Sequence, residues 1–447
     1  MSTITKKQGS QIGLAFGFAA ISSFVIVAAT PALFPDGAER AAFMVFWSTL
    51  FTFAGILTGL NFEVTRAISA ARGGVLGPGA NETPSIVSAS QERSPGKGLH
   101  VAWVAAALGV SLSALLAAAG MWWGNWVFPS HGTNLALAVA IGAAGLGVFH
   151  GTGGAVAGSG RWGIYAAMIT ADSALRLLLV IALALTTRSV FATAIGAATA
   201  FLVGIAFLFS MPRAREAFST RINSSLPAQL LRFGAAALAN GSSAMLVIGF
   251  PTLLSLTTPH EIIDESVPLL LALSLTRAPL MLPLNALQGV VIAHFSRNRS
   301  LGMKAMWPII RVALLVGAIA VAGAWLLGPW LLGAIWGPEM VLSGSLLGAL
   351  TAGATSLAVV SLTGALCQSL NLQRSFVGGW VFAVIAAALV LLLPLELPVR
   401  AALALGIGPL VGIVIHLFAL HRASKSAESA SLSVAMDDAL MDDATEK

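Results

Sequence analysis

The sequence predicts an all-α polytopic membrane protein, with about twelve transmembrane helices in two six-helix lobes, a parallel repeat around a central cavity. Three observations predict it. Hydrophobic residues make up 57% of the 447-residue chain and charged residues only 9%, where soluble domains carry about 25% charged residues. The Lys and Arg residues alternate in density from loop to loop, as they do across a membrane. One apolar run, 267–296, holds Arg277 about ten residues from its start, near mid-membrane at ~1.5 Å rise per residue.

By length and hydropathy the spans are predicted at 13–34, 41–61, 101–122, 133–154, 163–185, 190–210, 233–256, 267–295, 306–336, 341–367, 376–395 and 401–420. The first run is too long for the core of a signal peptide and lacks a cleavage site, so it is read as a span. With the N-terminus in the cytoplasm, nineteen of the 24 basic residues fall in cytoplasmic segments. Only Arg40, Arg188 and Arg400 fall outside, and Arg176 and Arg277 lie within spans. Both termini are therefore predicted to be cytoplasmic, in a plasma (inner) membrane. The basic net charge of +6 follows from this asymmetry and implies no nucleic-acid partner. The expected organisation is an N-terminal lobe at 1–210, a cytoplasmic linker at 211–232, a C-terminal lobe at 233–422 and a disordered cytoplasmic tail at 423–447. The loop 71–97, rich in Gly, Pro and Ser, reads as mobile.

The halves carry matching segments. ISSFVIVAATPAL (21–33) in the first span parallels GSSAMLVIGFPTL (241–253) in the seventh, pairing Ser22-Ser23 with Ser242-Ser243 and Pro31 with Pro251. Six spans per repeat give both halves the same orientation, and a site between halves is the usual consequence.

Few residues could carry chemistry. On the eighth span Arg277, Met281, Asn285 and Gln288 share one helical face, which should avoid lipid. Pro279 and Pro283 should kink this helix. Arg277 reads as a contact for an anionic substrate, because a guanidinium stays charged and matches phosphate geometry; the structural alternative is a bond to carbonyls freed by the kink. Asp172 and Arg176 are spaced i, i+4, as an intrahelical ion pair. A self-neutralised structural pair and a coupling-ion relay are both open for them. Glu63 and Arg66, where the second span meets the cytoplasm, are gate candidates facing the loops after the eighth span. Ser22, Ser23, Asn240, Ser242 and Ser243 could line a cavity or merely pack helices. His150, His294 and His416 stand alone, with no metal-binding spacing. The lone cysteine, Cys367, excludes an intrachain disulfide. A nucleotide-binding GxxxxGK[ST] loop is absent, as is any outer loop large enough for a polymerase site. No catalytic residue, metal or cofactor is predicted, and the chain does not read as an enzyme.

Three stretches carry a family resemblance: GLNFEVTRAIS (59–69), GSGRWGIYAAMITADSALRLLLVIAL (158–183) and LTRAPLMLPLNALQGVV (275–291). With the topology, they resemble the polysaccharide-flippase branch of the multidrug/oligosaccharidyl-lipid/polysaccharide (MOP) exporter superfamily. The resemblance implies two lobes rocking around a cavity lined largely by spans one, two, seven and eight. It implies a polyprenol-pyrophosphate-linked oligosaccharide as substrate, moved for cell-surface polysaccharide assembly, and Arg277 lies on the matching span; with the residues read above, Arg277, Asn285, Gln288, Asn240, Ser243 and Ser23 are the expected substrate contacts. Besides substrate and bilayer, polysaccharide-synthesis proteins are the expected partners. The chain departs from that branch in having little cavity charge. Two alternatives remain: a cation-coupled multidrug exporter of the same fold, and a non-transporting scaffold of a synthesis complex.

Overall fold

The computed structural model describes residues 6–72, 98–128, 130–277, 280–281, 303–370 and 372–445, with backbone only at 6–7, 303–306 and 424–445. Within these, eleven helices are long and apolar enough to cross a membrane, and the shorter apolar helix Val267–Arg277 opens the eighth predicted span. The protein is a multi-pass all-α membrane protein.

The N-terminal bundle holds α1 (Lys6–Leu33), α2 (Gly37–Ala71), α3 (Val101–Ala118), α4 (Gly120–Val127), α5 (Gly132–Gly158), α6 (Trp162–Thr187), α7 (Val190–Thr199) and α8 (Val203–Ser210). The predicted third span is two helices, α3 and α4, meeting at Ala119. The sixth is α7 and α8, joined by the 3-10 turn Ala200–Leu202. Helix α5 is the hub, packing on α2, α3, α4, α7 and α8. Its many glycines make this possible, because they let neighbouring backbones touch. A Cβ at Gly147 would lie 2.5 Å from the Cα of Gly109 on α3, so neither position tolerates a side chain.

Residues 211–232, expected as a linker, are structured. They hold the short helix α9 (Pro212–Phe218), the strand β2 (Arg221–Ile222) and the first turns of α10 (Leu226–Val247). Strand β2 pairs antiparallel with β1 (Leu99–His100), Leu99 opposite Ile222. Pro212 and Pro227 explain the two helix starts, since proline at the first turn forfeits only a donor that has no partner there.

The C-terminal half continues with α11 (Phe250–Leu256), α12 (His260–Asp264), α13 (Val267–Arg277), α14 (Met303–Trp336), α15 (Gly344–Ser369), α16 (Gln373–Leu391) and α17 (Leu397–Thr445). Helices α15, α16 and α17 pack on one another, and α14 lies on α15. Helix α14 exposes Leu326 at 75% and Trp330 at 68%, side chains suited to lipid and not to water. The backbone of α17 stays helical through the segment expected as a disordered tail, in keeping with its Ala, Leu, Met and Glu content. The expected mobile loop lies outside the described residues from 73 to 97.

Candidate functional site

A cavity of about 190 Å³ opens inside the N-terminal bundle, between α1, α2, α5, α6 and the 3-10 turn. Spans seven and eight, expected as half of its lining, supply none of its described residues. The polar lining is Ser22, Ser23, Thr58, His150, Asp172, Ser173 and Arg176, joined by the ring of Tyr165. The remaining surface is dominated by phenylalanine rings.

Asp172 and Arg176 stand one turn apart on α6, and Arg176 Nη2 donates to Asp172 Oδ1 at 2.5 Å. Both are buried, at 7% and 3% exposure. The guanidinium carbon lies 3.9 Å from the Phe201 ring centroid and 5.0 Å from that of Phe51. Stacking holds the flat faces of the guanidinium, the carboxylate takes one edge, and Nη1 remains unpartnered. Two more polar atoms of the lining, Ser22 Oγ and His150 Nε2, are buried without partners. A buried donor or acceptor without a partner costs about 1–3 kcal/mol, so three around one cavity mark it as a place built to receive polar atoms.

Arg277 is elsewhere. It does not line the cavity, and its Nη1 donates to the carbonyls of Leu246 and Val247, at 3.2 and 3.1 Å. Those carbonyls are free because span seven breaks at Ile248–Gly249. Pro251 has no N–H to offer Val247, four residues back. The guanidinium also lies 5.0 Å from the Phe250 ring. The residue expected to hold a substrate anion thus bonds, through Nη1, backbone freed by Pro251, while its Nε and Nη2 are buried without partners among the described residues. The sequence-matched Pro31 sits near the end of α1 and leaves that helix unbroken.

Of the other expected contacts, Ser23 lines the cavity. Asn240 and Ser243 bond their own helix, to Ala236 O at 2.8 Å and Asn240 O at 2.9 Å. Asn285, Gln288, Pro279, Pro283 and His294 lie outside the described residues. His416 bonds Thr363 Oγ1 at 2.9 Å and stacks on Phe376, a packing role. Among the described residues no group of His, Cys, Asp or Glu could hold a metal ion.

The two halves meet along α2 and α10. A Cβ at Gly59 would fall 2.5 Å from the Ala236 backbone, so this seam has no room for a side chain. Toward one end, Ser48 Oγ donates to Ile248 O at 2.9 Å and meets Thr252 Oγ1 at 2.9 Å. At the arginine-rich end, Arg66 grips both oxygens of Glu63, at 2.7 and 2.6 Å, and Gln229 Nε2 donates to Glu63 Oε1 at 3.0 Å. Glu63 therefore meets the start of α10, and the loops after span eight lie outside the described residues. A hydrogen bond to a charged group contributes about 1.5–3 kcal/mol, so Gln229→Leu is expected to shift any open–closed balance roughly tenfold toward open. The check is maleimide labelling of a Thr58→Cys probe, against the low background of buried Cys367. An unchanged labelling rate would rule out the latch.

No family model matches the chain. It is 33% identical over 436 residues to the uncharacterized protein Rv3630 of Mycobacterium tuberculosis, covering 93% of this chain and 92% of that one. It is 35% identical over 384 residues to the uncharacterized protein Rv1510 of the same organism, covering 85% and 84%. Among solved structures, an inward-facing multidrug resistance transporter of the MATE family, in the MOP superfamily, matches with a TM-score of 0.66 at 16% identity, over 92% of this chain and 96% of that one. An outward-facing MATE transporter matches at 0.63 and 14%, over 95% and 97%. A MOP superfamily transporter from Pyrococcus furiosus, described as having a binding pocket of reversed polarity, matches at 0.61 and 16%, over 94% and 96%. At such identities the likeness is one of fold. The chain belongs to the family of the two mycobacterial proteins, and is itself a multi-pass membrane protein with the fold of the MOP superfamily transporters.

Proposed function

We propose that the protein is an alternating-access transporter that flips a polyprenol-pyrophosphate-linked oligosaccharide across the plasma membrane, for cell-surface polysaccharide assembly, with both termini in the cytoplasm. The arginine asymmetry of the loops supports the orientation, and the fold supports rocking of two halves. The observation that carries the choice of cargo is the charge state of the cavity. Its one carboxylate, Asp172, is already neutralised by Arg176, while the guanidinium keeps a free donor. An organic cation would meet no unpaired acid there and would be repelled by the arginine. A glycan offers the hydroxyl oxygens that such a donor can bind.

The test is a strain lacking the protein, assayed for lipid-linked sugar intermediates and for surface polysaccharide. Intermediates are expected to accumulate on the cytoplasmic side while surface polymer is lost. The wild-type gene should restore the polymer, and the neutral pair Asp172→Asn with Arg176→Gln should not. Normal sugars on both sides would overturn the reading, and drug susceptibility would then be the assay to run.

A further inference from the structure

The cavity's size and lining say more than its charge. We propose that it is a subsite for a single neutral sugar ring of the cargo, and that the pyrophosphate binds elsewhere; the assignment rests on the transport reading above. Volume is the first argument. About 190 Å³ lies below the roughly 300–1,000 Å³ of pockets that take drug-sized ligands. It is the space of some six waters at ~30 Å³ each. One six-membered ring with its hydroxyls fits that space, and the rest of a longer glycan would lie outside it.

The lining is the second argument. Phe16, Phe51, Phe62, Phe149, Tyr165 and Phe201 present rings to the cavity. The face of an aromatic ring is negative, and the C–H faces of a sugar are weakly positive and apolar. Among these rings lie the three unpartnered atoms: Arg176 Nη1 only donates, while Ser22 Oγ and His150 Nε2 can donate or accept. A hydroxyl both donates and accepts, so a ring bearing several can satisfy all three at once.

Charge separates the sugar from its competitors. A pyrophosphate would bring negative charge beside the Asp172 carboxylate and would find only one amino nitrogen of Arg176 free, because Nη2 is committed at 2.5 Å. An organic cation would face the guanidinium. A neutral ring meets neither penalty, and the ion pair then works as a fixed dipole for adjacent hydroxyls.

The experiment uses the full chain in lipid nanodiscs, with saturation-transfer NMR on a panel of methyl glycosides. Inorganic pyrophosphate and tetraphenylphosphonium serve as competing probes. At least one glycoside is expected to bind in the millimolar range expected of so small a ligand, with neither competitor displacing it. Ser22→Leu fills the cavity and leaves the ion pair intact, so it should weaken glycoside binding by about tenfold, the scale of one lost contact. Thr58→Leu is the second filling variant should the first fail to fold. Displacement by pyrophosphate or by the cation, binding indifferent to both fillings, or no glycoside binding at all would overturn the subsite. Absent glycoside binding with intermediates still accumulating in the deletion strain removes the subsite alone. Glycoside binding with normal intermediates removes the flippase reading and leaves the subsite standing.

Discussion

Replacing Asp172 by Ala is expected to cost about 3–5 kcal/mol of stability, the usual consequence of leaving a buried charge without its partner. Arg176 is 3% exposed, and its guanidinium donates to Asp172. Without the carboxylate, only the Phe201 and Phe51 ring faces remain to hold the guanidinium, and cation–π attraction contributes ~2 kcal/mol at best when desolvated. The purified variant should melt well below wild type in the same detergent, with folded yield reduced in proportion. The double variant Asp172→Asn with Arg176→Gln removes both charges while keeping polar side chains at both positions, so it should recover most of the lost stability and yield. It should not recover transport, because the unpartnered guanidinium donor beside the cavity is gone. This contrast separates a purely structural pair from a functional one. A double variant that both folds and transports would return the pair to helix packing.

The fold was legible because bilayer physics writes itself into a sequence at low resolution. A span must be about 20 apolar residues long, and Lys and Arg mark one side, so eleven of the predicted spans hold a helical stretch long and apolar enough to cross a membrane. The break at Ala119 was harder to see, because Ala118, Ala119 and Gly120 suit either a continuous helix or a join. The linker hid its structure for another reason. A two-residue strand pair such as Leu99–His100 with Arg221–Ile222 is a contact between distant segments, and no local periodicity announces it.

The site was legible in composition but not in assignment. Both intramembrane arginines were visible, and the sequence favoured Arg277 as the substrate contact because its own helix carries no neutralising acid. That inference treated neutralisation as a matter for carboxylates. The partners of Arg277 are instead backbone carbonyls on another helix, thirty and thirty-one residues away. The signal that could have found them was Pro251 itself, which strips a carbonyl of its donor in mid-span. For Arg176 the self-neutralised reading holds in half: one amino nitrogen bonds Asp172, and the other is buried without a partner. Only three-dimensional packing shows which edge of a guanidinium is left over. The aromatic cage has the same origin, since Phe51, Phe149 and Phe201 come from three different spans.

Arg277→Ala is expected to destabilise the protein by about 2–5 kcal/mol, because it leaves the Leu246 and Val247 carbonyls as buried acceptors at about 1–3 kcal/mol each. Arg277 is itself 6% exposed, so no water is close at hand to replace it. The physical cause can be tested through its other end. Pro251→Ala supplies a backbone N–H four residues beyond Val247, which lets the helix close across the break and satisfy one of the two orphaned carbonyls. The Pro251→Ala, Arg277→Ala double variant should therefore be more stable than Arg277→Ala alone. The coupling should be on the order of 1 kcal/mol, inside the range measured for residues that share a partner. Thermal unfolding of the four proteins in one detergent measures it directly. Strict additivity would mean that Arg277 supports something other than the broken helix. Were Arg277 instead the anion contact, its loss would abolish transport at little cost in stability, and no change at Pro251 would compensate. The same four proteins carried into the polysaccharide assay decide between these, because a helix staple and a ligand contact respond oppositely to Pro251→Ala.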